Sequence, residues 1–292
     1  MSELPFAGGG WRLQMGLRSV APGDWLAPDD AIAAELAEKR ALLIARHDEV
    51  FRALPACGAP AAELLELLAE HLPAHHPDFF RREGVWLVNR ASGERWDVSA
   101  RALHPLDLAG RLVQEDLCLM LPGADGYVLG GASLCAPNRW RIDEKLGRPL
   151  LGIHDFVPGY GEVLARPVER FFAELKPERI VGRVNWGIAD RPDRFQPVAL
   201  ARTRPVTAEN AGAELYLRLE RQTLRKLARS AAVLFTIRTS IAPLGRALAT
   251  RADAGDLASA IHAMPDEMRR YKAIAPYAGP LLEWLEGRAL TA

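Results

Sequence analysis

The amino-acid sequence predicts an α+β fold in which helices frame a central, antiparallel run of strands. Three observations lead there. Apolar residues recur at helical spacing near both ends of the chain, the period switches to two in the middle, and the strand-like runs are joined by short turns rather than by intervening helices.

Residues 1–28 carry Pro and Gly and read as an irregular lead-in. From Asp29 the pattern becomes AIAAELAEKRALLIARHDEVFRAL, apolar residues at helical spacing with good helix formers between them. Asp29 or Asp30 can cap its start, with Glu35 in the early turns. A second helix, AAELLELLAEHL, is expected to close at Pro73. GVWLVNRASGERWDVS then reads as two strands around a Ser-Gly turn. LCLMLPG and GYVLGGASLCA repeat the arrangement, with Pro122, Gly123, Asp125 and Gly126 at the turn. NRWRIDEKLG predicts a short helix between an Asn138 cap and a Gly147 stop. PVERFFAELKPE is another short helix, RIVGRVNWGIA a strand, AELYLRLERQTLRKLA and AAVLFTIRTSIAPL two more elements, the second the better strand. DAGDLASAIHAM and GPLLEWLEGRAL are helical in composition. Without a repeat or long linker, one domain spanning 1–292 is the simplest organisation, a sheet with N- and C-terminal helical extensions.

Composition narrows the function. The 292 residues are 49% hydrophobic and 25% charged, which is globular rather than disordered. Lys+Arg and Asp+Glu are 37 each, so a nucleic-acid partner, which calls for a basic surface, is not expected. Cys57, Cys118 and Cys135 form no CxxC pair and suggest neither a disulfide framework nor a Cys-rich metal site. No run approaches the ~20 apolar residues of a membrane span, and the N-terminus lacks the form of a signal peptide. A cytoplasmic protein with no membrane partner is expected. Phosphate-loop, dinucleotide, HExxH and GxSxG patterns are all missing. His75-His76, between two prolines, reads as a solvated loop rather than a zinc site. Glu115-Asp116, ahead of an apolar strand, are a cap or ion pair on the plainer reading and an amine-recognising carboxylate pair on the sharper one.

The most informative stretch combines VQEDLCLM, LCAPNRWRIDEKLGRPLLGIHDFVPGYG and RVNWGI. In this order the blocks resemble the haem-dependent oxidative N-demethylase family, haem-binding alpha subunit. DWLAPDD with AEKRALLIARHDEVFRALP, and LRLERQTLRKL with AVLFTIRTSIAPL, extend the resemblance over about residues 24–245.

The resemblance implies a PAS-like antiparallel sheet with surrounding helices, haem b, and oxidation of a small methylated amine. O2 and electrons from a separate flavin/iron–sulfur reductase are the co-reactants, and formaldehyde is released. It implies His154, in GIHDFVPG, as the iron ligand. Taken alone His154 is an ordinary loop histidine. As a ligand it needs Asp155 or a backbone carbonyl to fix its tautomer. His104 ranks second and His262 third. Arg183, Asn185 and Lys145 are the remaining cofactor-binding candidates, since a guanidinium or ammonium suits a haem propionate. On a strand, Arg183 and Asn185 share one face and Trp186 takes the other. Glu115 or Asp116 would hold the substrate ammonium, the catalytic role. Arg221 and Arg238 are unranked contacts. The chain departs from the family pattern at Phe156 and at Ala136-Pro137-Asn138, which bears on the substrate more than on the cofactor. The alternative from another class is a non-catalytic, PAS-like haem-binding gas or redox sensor.

Overall fold

A computed structural model of the protein describes residues 4–100 and 102–290. Its ten strands are β1 (Arg18–Ser19), β2 (Phe51–Ala53), β3 (Phe80–Glu83), β4 (Trp86–Asn89), β5 (Arg95–Asp97), β6 (Asp116–Gly123), β7 (Gly126–Ser133), β8 (Ile180–Ala189), β9 (Tyr216–Lys226) and β10 (Val233–Pro243). Seven of them form one sheet in the order β1-β8-β9-β10-β6-β7-β2, and β3-β4-β5 form a small second one. Every pairing is antiparallel, as expected of an α+β chain whose strands are joined by short turns.

The helices are α1 (Ile32–Ala45), α2 (His47–Val50), α3 (Gly58–His75), α4 (Pro105–Leu112), α5 (Ile142–Lys145), α6 (Leu150–Ile153), α7 (Ala165–Glu174), α8 (Ala211–Glu214), α9 (Leu244–Ala247), α10 (Arg251–His262), α11 (Asp266–Tyr271) and α12 (Ala278–Leu290). They cover both faces of the large sheet. On one face α1, α3 and α4 pack over Leu117, Leu119 and Leu234, while the C-terminal helices pack over Trp186, Ile188 and Leu217 further along the same face. The other face carries Cys118, Met120, Leu129 and Val233. It is roofed by α5–α7, through Ile142, Leu150, Ile153 and Phe172. Burial of these apolar side chains, at about 25 cal/mol per Å², is the main force holding the layers together.

Several boundaries differ from the sequence reading. Pro73 lies inside α3 rather than ending it; the carbonyl of Ala69, which a proline cannot bond, is reached instead by Arg82 Nη1 at 3.5 Å. The predicted helix breaks after Ala45 and again after Val50, because Phe51–Ala53 pair with Gly131–Ser133 as an edge strand. Asn138 does not cap a helix. It bridges to Gln196, and the helix starts later, at Ile142, where the Glu144 carboxylate accepts the backbone N–H of Arg141 at 3.1 Å. Gly147, at φ +78°, is the expected stop. His75 ends α3 exposed, but His76 turns back against the buried His71, their ring centroids 5.8 Å apart.

Register shifts between Leu119 and Met120 of β6, where Gly130 of β7 bulges. A Cβ on Gly130 would collide with the side chain of Leu121, so only glycine fits. No helix among the described residues is long and apolar enough to cross a membrane.

Candidate functional site

Residue alternation determines what the roofed face of the sheet offers. Arg183 pairs with Gln222 and Asn185 with Glu220 across β8 and β9, so these four side chains share a face. Leu224, Phe235 and Ile237 continue that face as an apolar strip. The polar quartet is closed by hydrogen bonds. Arg183 Nε donates to Gln222 Oε1 (2.8 Å), Gln222 Nε2 to Glu220 Oε2 (3.1 Å), and Asn185 Nδ2 to Glu220 Oε2 (3.2 Å). Arg218, 1% exposed, donates through Nε to Glu220 Oε1 at 3.0 Å. At the far end Lys272, just after α11, donates to the Trp186 carbonyl (2.6 Å) and to Asn185 Oδ1 (3.4 Å).

The roof supplies His154. Its backbone ends α6, and its Nδ1 lies 2.8 Å from the Leu150 carbonyl oxygen. A carbonyl only accepts, so Nδ1 carries the proton and Nε2 keeps its lone pair. Asp155, the other partner considered for that nitrogen, is paired with Arg148 at 2.6 Å. Burial pushes the His154 imidazole down to about 4, against the Leu150 bond, with Lys145 and Arg183 adding to the depression. The ring therefore stays neutral at physiological pH. Tyr160 stacks on it, centroids 4.4 Å apart and planes 14° from parallel.

Lys145 sits at the end of α5 with its ammonium 4.5 Å from the ring centres of both Trp140 and Phe156. Burial lowers it to about 8. Among the described residues no carboxylate lies within 4 Å of that ammonium. Burial also lowers the Arg183 guanidinium, offset by Glu220, Tyr271 and Tyr160, which places all three near it. His154, Tyr160, Arg183, Asn185 and Lys145 thus meet between sheet and roof.

The other sequence candidates are engaged by other partners, although Asp116 shares the roofed face, opposite Ile237. Glu115 accepts the backbone N–H of Ala27 at 3.0 Å, and Asp116 accepts those of Cys135 (2.7 Å) and Ala136 (2.8 Å). Both carboxylates thus anchor backbone. Glu220, which the sequence reading passed over, is the acid beside Arg183 and Lys272. His104 Nδ1 accepts the Leu106 N–H and caps α4, so its Nε2 carries the proton and offers no lone pair. His262 bonds Glu286 at 2.9 Å. Arg221 reaches the carbonyls of Asp24 and Trp25, and Arg238 pairs with Asp29 and Glu35, all on the opposite face. Trp186 is core, edge-on to Phe6 at 5.2 Å.

Residues 16–282 match a family described as haem-dependent oxidative N-demethylase, alpha subunit-like. The chain belongs to this family. Haem dependence and oxidative N-demethylation are the general function that this N-demethylase membership brings.

The residues present fit a haem. A neutral imidazole with Nδ1 tied to a carbonyl is the form in which histidine binds iron. The candidate site carries more positive than negative charge, with Arg183 and Lys272 near Glu220 and Lys145 near His154, which suits a cofactor with two carboxylates. The Tyr160 hydroxyl, buried with its ring at 4% exposure, has no partner among the described residues. A bound group with an acceptor oxygen would satisfy this donor. Tyr160, Glu220 and Lys272 escaped the sequence reading. Strand alternation in LRLERQTL would have placed Glu220 on the Arg183 face; nothing local marks Lys272, which arrives from 86 residues beyond Trp186.

Proposed function

We propose that this chain is the haem b-binding catalytic subunit of an oxidative N-demethylase acting on a small methylated amine. In this reading His154 Nε2 would bind the haem iron, Arg183 and Lys145 would hold the propionates, and Asn185 would order the floor of the site. The observation that carries it is the Nδ1 bond from His154 to the Leu150 carbonyl, which fixes the ligand-competent tautomer. Bound there, haem supplies O2 activation and electron transfer. The overall stoichiometry is amine N–CH3 plus O2, two electrons and two protons, giving the N–H amine, formaldehyde and water. The electrons come from a separate flavin/iron–sulfur reductase.

The chain's own residues do the rest. The amine-holding role first assigned to Glu115 or Asp116 passes to Glu220. That carboxylate accepts three hydrogen bonds out of about four sites. The remaining site can receive the substrate N–H, and a buried cation needs such a partner. Leu224, Phe235 and Ile237 line the floor beside it and exclude water. The fold reading is one PAS-like domain over 1–292 with N- and C-terminal helical extensions, working in the cytoplasm, where the three unpaired thiols Cys57, Cys118 and Cys135 fit.

The test is an absorption spectrum of the purified protein before and after dithionite and CO. A Soret band that shifts with CO, and its loss in His154→Ala, are expected; full haem binding in that variant would reassign the ligand. Reduced protein supplied with electrons and dimethylamine should release formaldehyde. A sensor would release none.

A further inference from the structure

We propose that Tyr160 completes the carboxylate-binding edge of the haem site, its phenol donating to a propionate beside Arg183 while its ring holds the plane of His154. This rests on the reading of His154 as the iron ligand.

The geometry comes from the turn that follows α6. Gly159 takes φ +73°, a left-handed conformation in which a Cβ would also lie 3.2 Å from Leu13 Cδ2. That reversal leads into the π-helical turn Tyr160–Leu164, which lays the Tyr160 ring flat on His154. A parallel ring at 4.4 Å blocks rotation of the imidazole about its own bond, and the Nδ1 bond to Leu150 blocks a flip. The two contacts together leave His154 one orientation.

The phenol is equipped for an anion. Its oxygen is buried and unpartnered among the described residues. Burial and the charge of Glu169 push it up to about 12, so it stays a donor throughout the working pH range. Glu169 itself accepts the backbone N–H of Tyr127. Arg183 is the cation near enough to oppose that rise. Arg183 gives Nε to Gln222 and Nη1 to the carbonyls of Gln14 and Met15, leaving Nη2 without a bond among the described residues. The Tyr160 O–H and Arg183 Nη2 are thus two donors left without an acceptor among the described residues, the complement of a carboxylate.

The carboxylate belongs either to haem or to a substrate, and two porphyrins separate these. Apo-protein is titrated with haemin and with iron protoporphyrin dimethyl ester, which has no free carboxylate, for wild type, Tyr160→Phe and Tyr160→Leu. Tyr160→Phe keeps the stack and is expected to lose about tenfold in haemin affinity but almost nothing in ester affinity. Tyr160→Leu removes the stack too and is expected to alter the ferric EPR anisotropy, which reports the imidazole plane; if it fails to fold, Tyr160→Phe decides alone. Equal losses for both porphyrins, or none, would overturn the proposal. His154→Ala, run alongside, tests the ligand separately: undiminished binding there would remove the underlying reading instead.

Discussion

The Nδ1 of His154 stands 2.8 Å from the carbonyl oxygen of Leu150, four residues back in the chain. One helical turn thus fixes the tautomer of the proposed iron ligand. Burial then holds the imidazole at about 4, below its usual 6.5. Because the folded value is depressed, the ring stays neutral as pH falls through 6.5 and gains its proton only near 4. NMR titration of the apo-protein should show the His154 ring resonances moving in that lower range. Movement centred near 6.5 would mean that the ring is solvated.

His71 gives the fold a sensitivity to acid. It is 6% exposed, packed edge-on against Trp25 at 4.7 Å, and burial pushes it down to about 3, with His75, Arg225 and His76 adding. Below pH 6.5 the unfolded chain takes up a proton that the folded chain refuses. Stability is therefore lost as pH falls from 6.5 toward 3, at up to about 1.4 kcal/mol per unit for this one group. Denaturant unfolding of His71→Phe from pH 7 to 4 should show a shallower decline than wild type. Parallel declines would refute the assignment.

Glu220 is the counter-charge for a guanidinium that has almost no access to water. Glu220→Leu leaves Arg218 buried without its ion pair, and is expected to cost about 3–5 kcal/mol in urea unfolding. Glu220→Gln keeps the size and part of the hydrogen bonding, so it should fold more stably than the leucine variant. Its loss should appear instead as a raised KM for the amine. If Glu220→Gln turns over amine with unchanged KM, Glu220 does not touch the substrate.

Asp116 holds the strand-to-roof connection by accepting the backbone N–H groups of Cys135 and Ala136. Asp116→Ala orphans one buried and one half-buried N–H group, a loss of about 2 kcal/mol in urea unfolding. Glu115→Gln, on the opposite face, should leave haem affinity unchanged, as measured by haemin titration. A large drop in affinity for Glu115→Gln would restore the carboxylate pair to the site.

How much of this the sequence held depends on range. Strands with a clear two-residue period, such as RIVGRVNWGIA, were legible, and with them the shared face of Arg183 and Asn185. The hairpin at Gly123–Gly126 was legible from its turn residues. Pro73 misled because its missing hydrogen bond is compensated by Arg82, a residue beyond the helix. Phe51–Ala53 misled because helix formers there are overruled by a tertiary pairing with β7. At the site, His154 stood out only in the company of the blocks around it. Tyr160 needed the φ of Gly159, and Lys272 needed the packing of α11 against the sheet. Glu115 and Asp116 attracted attention as adjacent acids, but adjacent residues point apart, and each found backbone to hold.

One consequence concerns the rim of the large sheet. β1 pairs with β8 only at Val181 and Gly182, so beyond them the outer edge of β8, the side away from β9, has no strand paired to it among the described residues. Such a bare ladder invites another chain to add itself. Here the Lys272 ammonium occupies the Trp186 carbonyl, a contact made at 2.6 Å. The same lysine that reaches Asn185 thereby fills one acceptor on that edge, and aggregation of a Lys272→Met variant, followed by light scattering, is the expected sign that the edge has been bared.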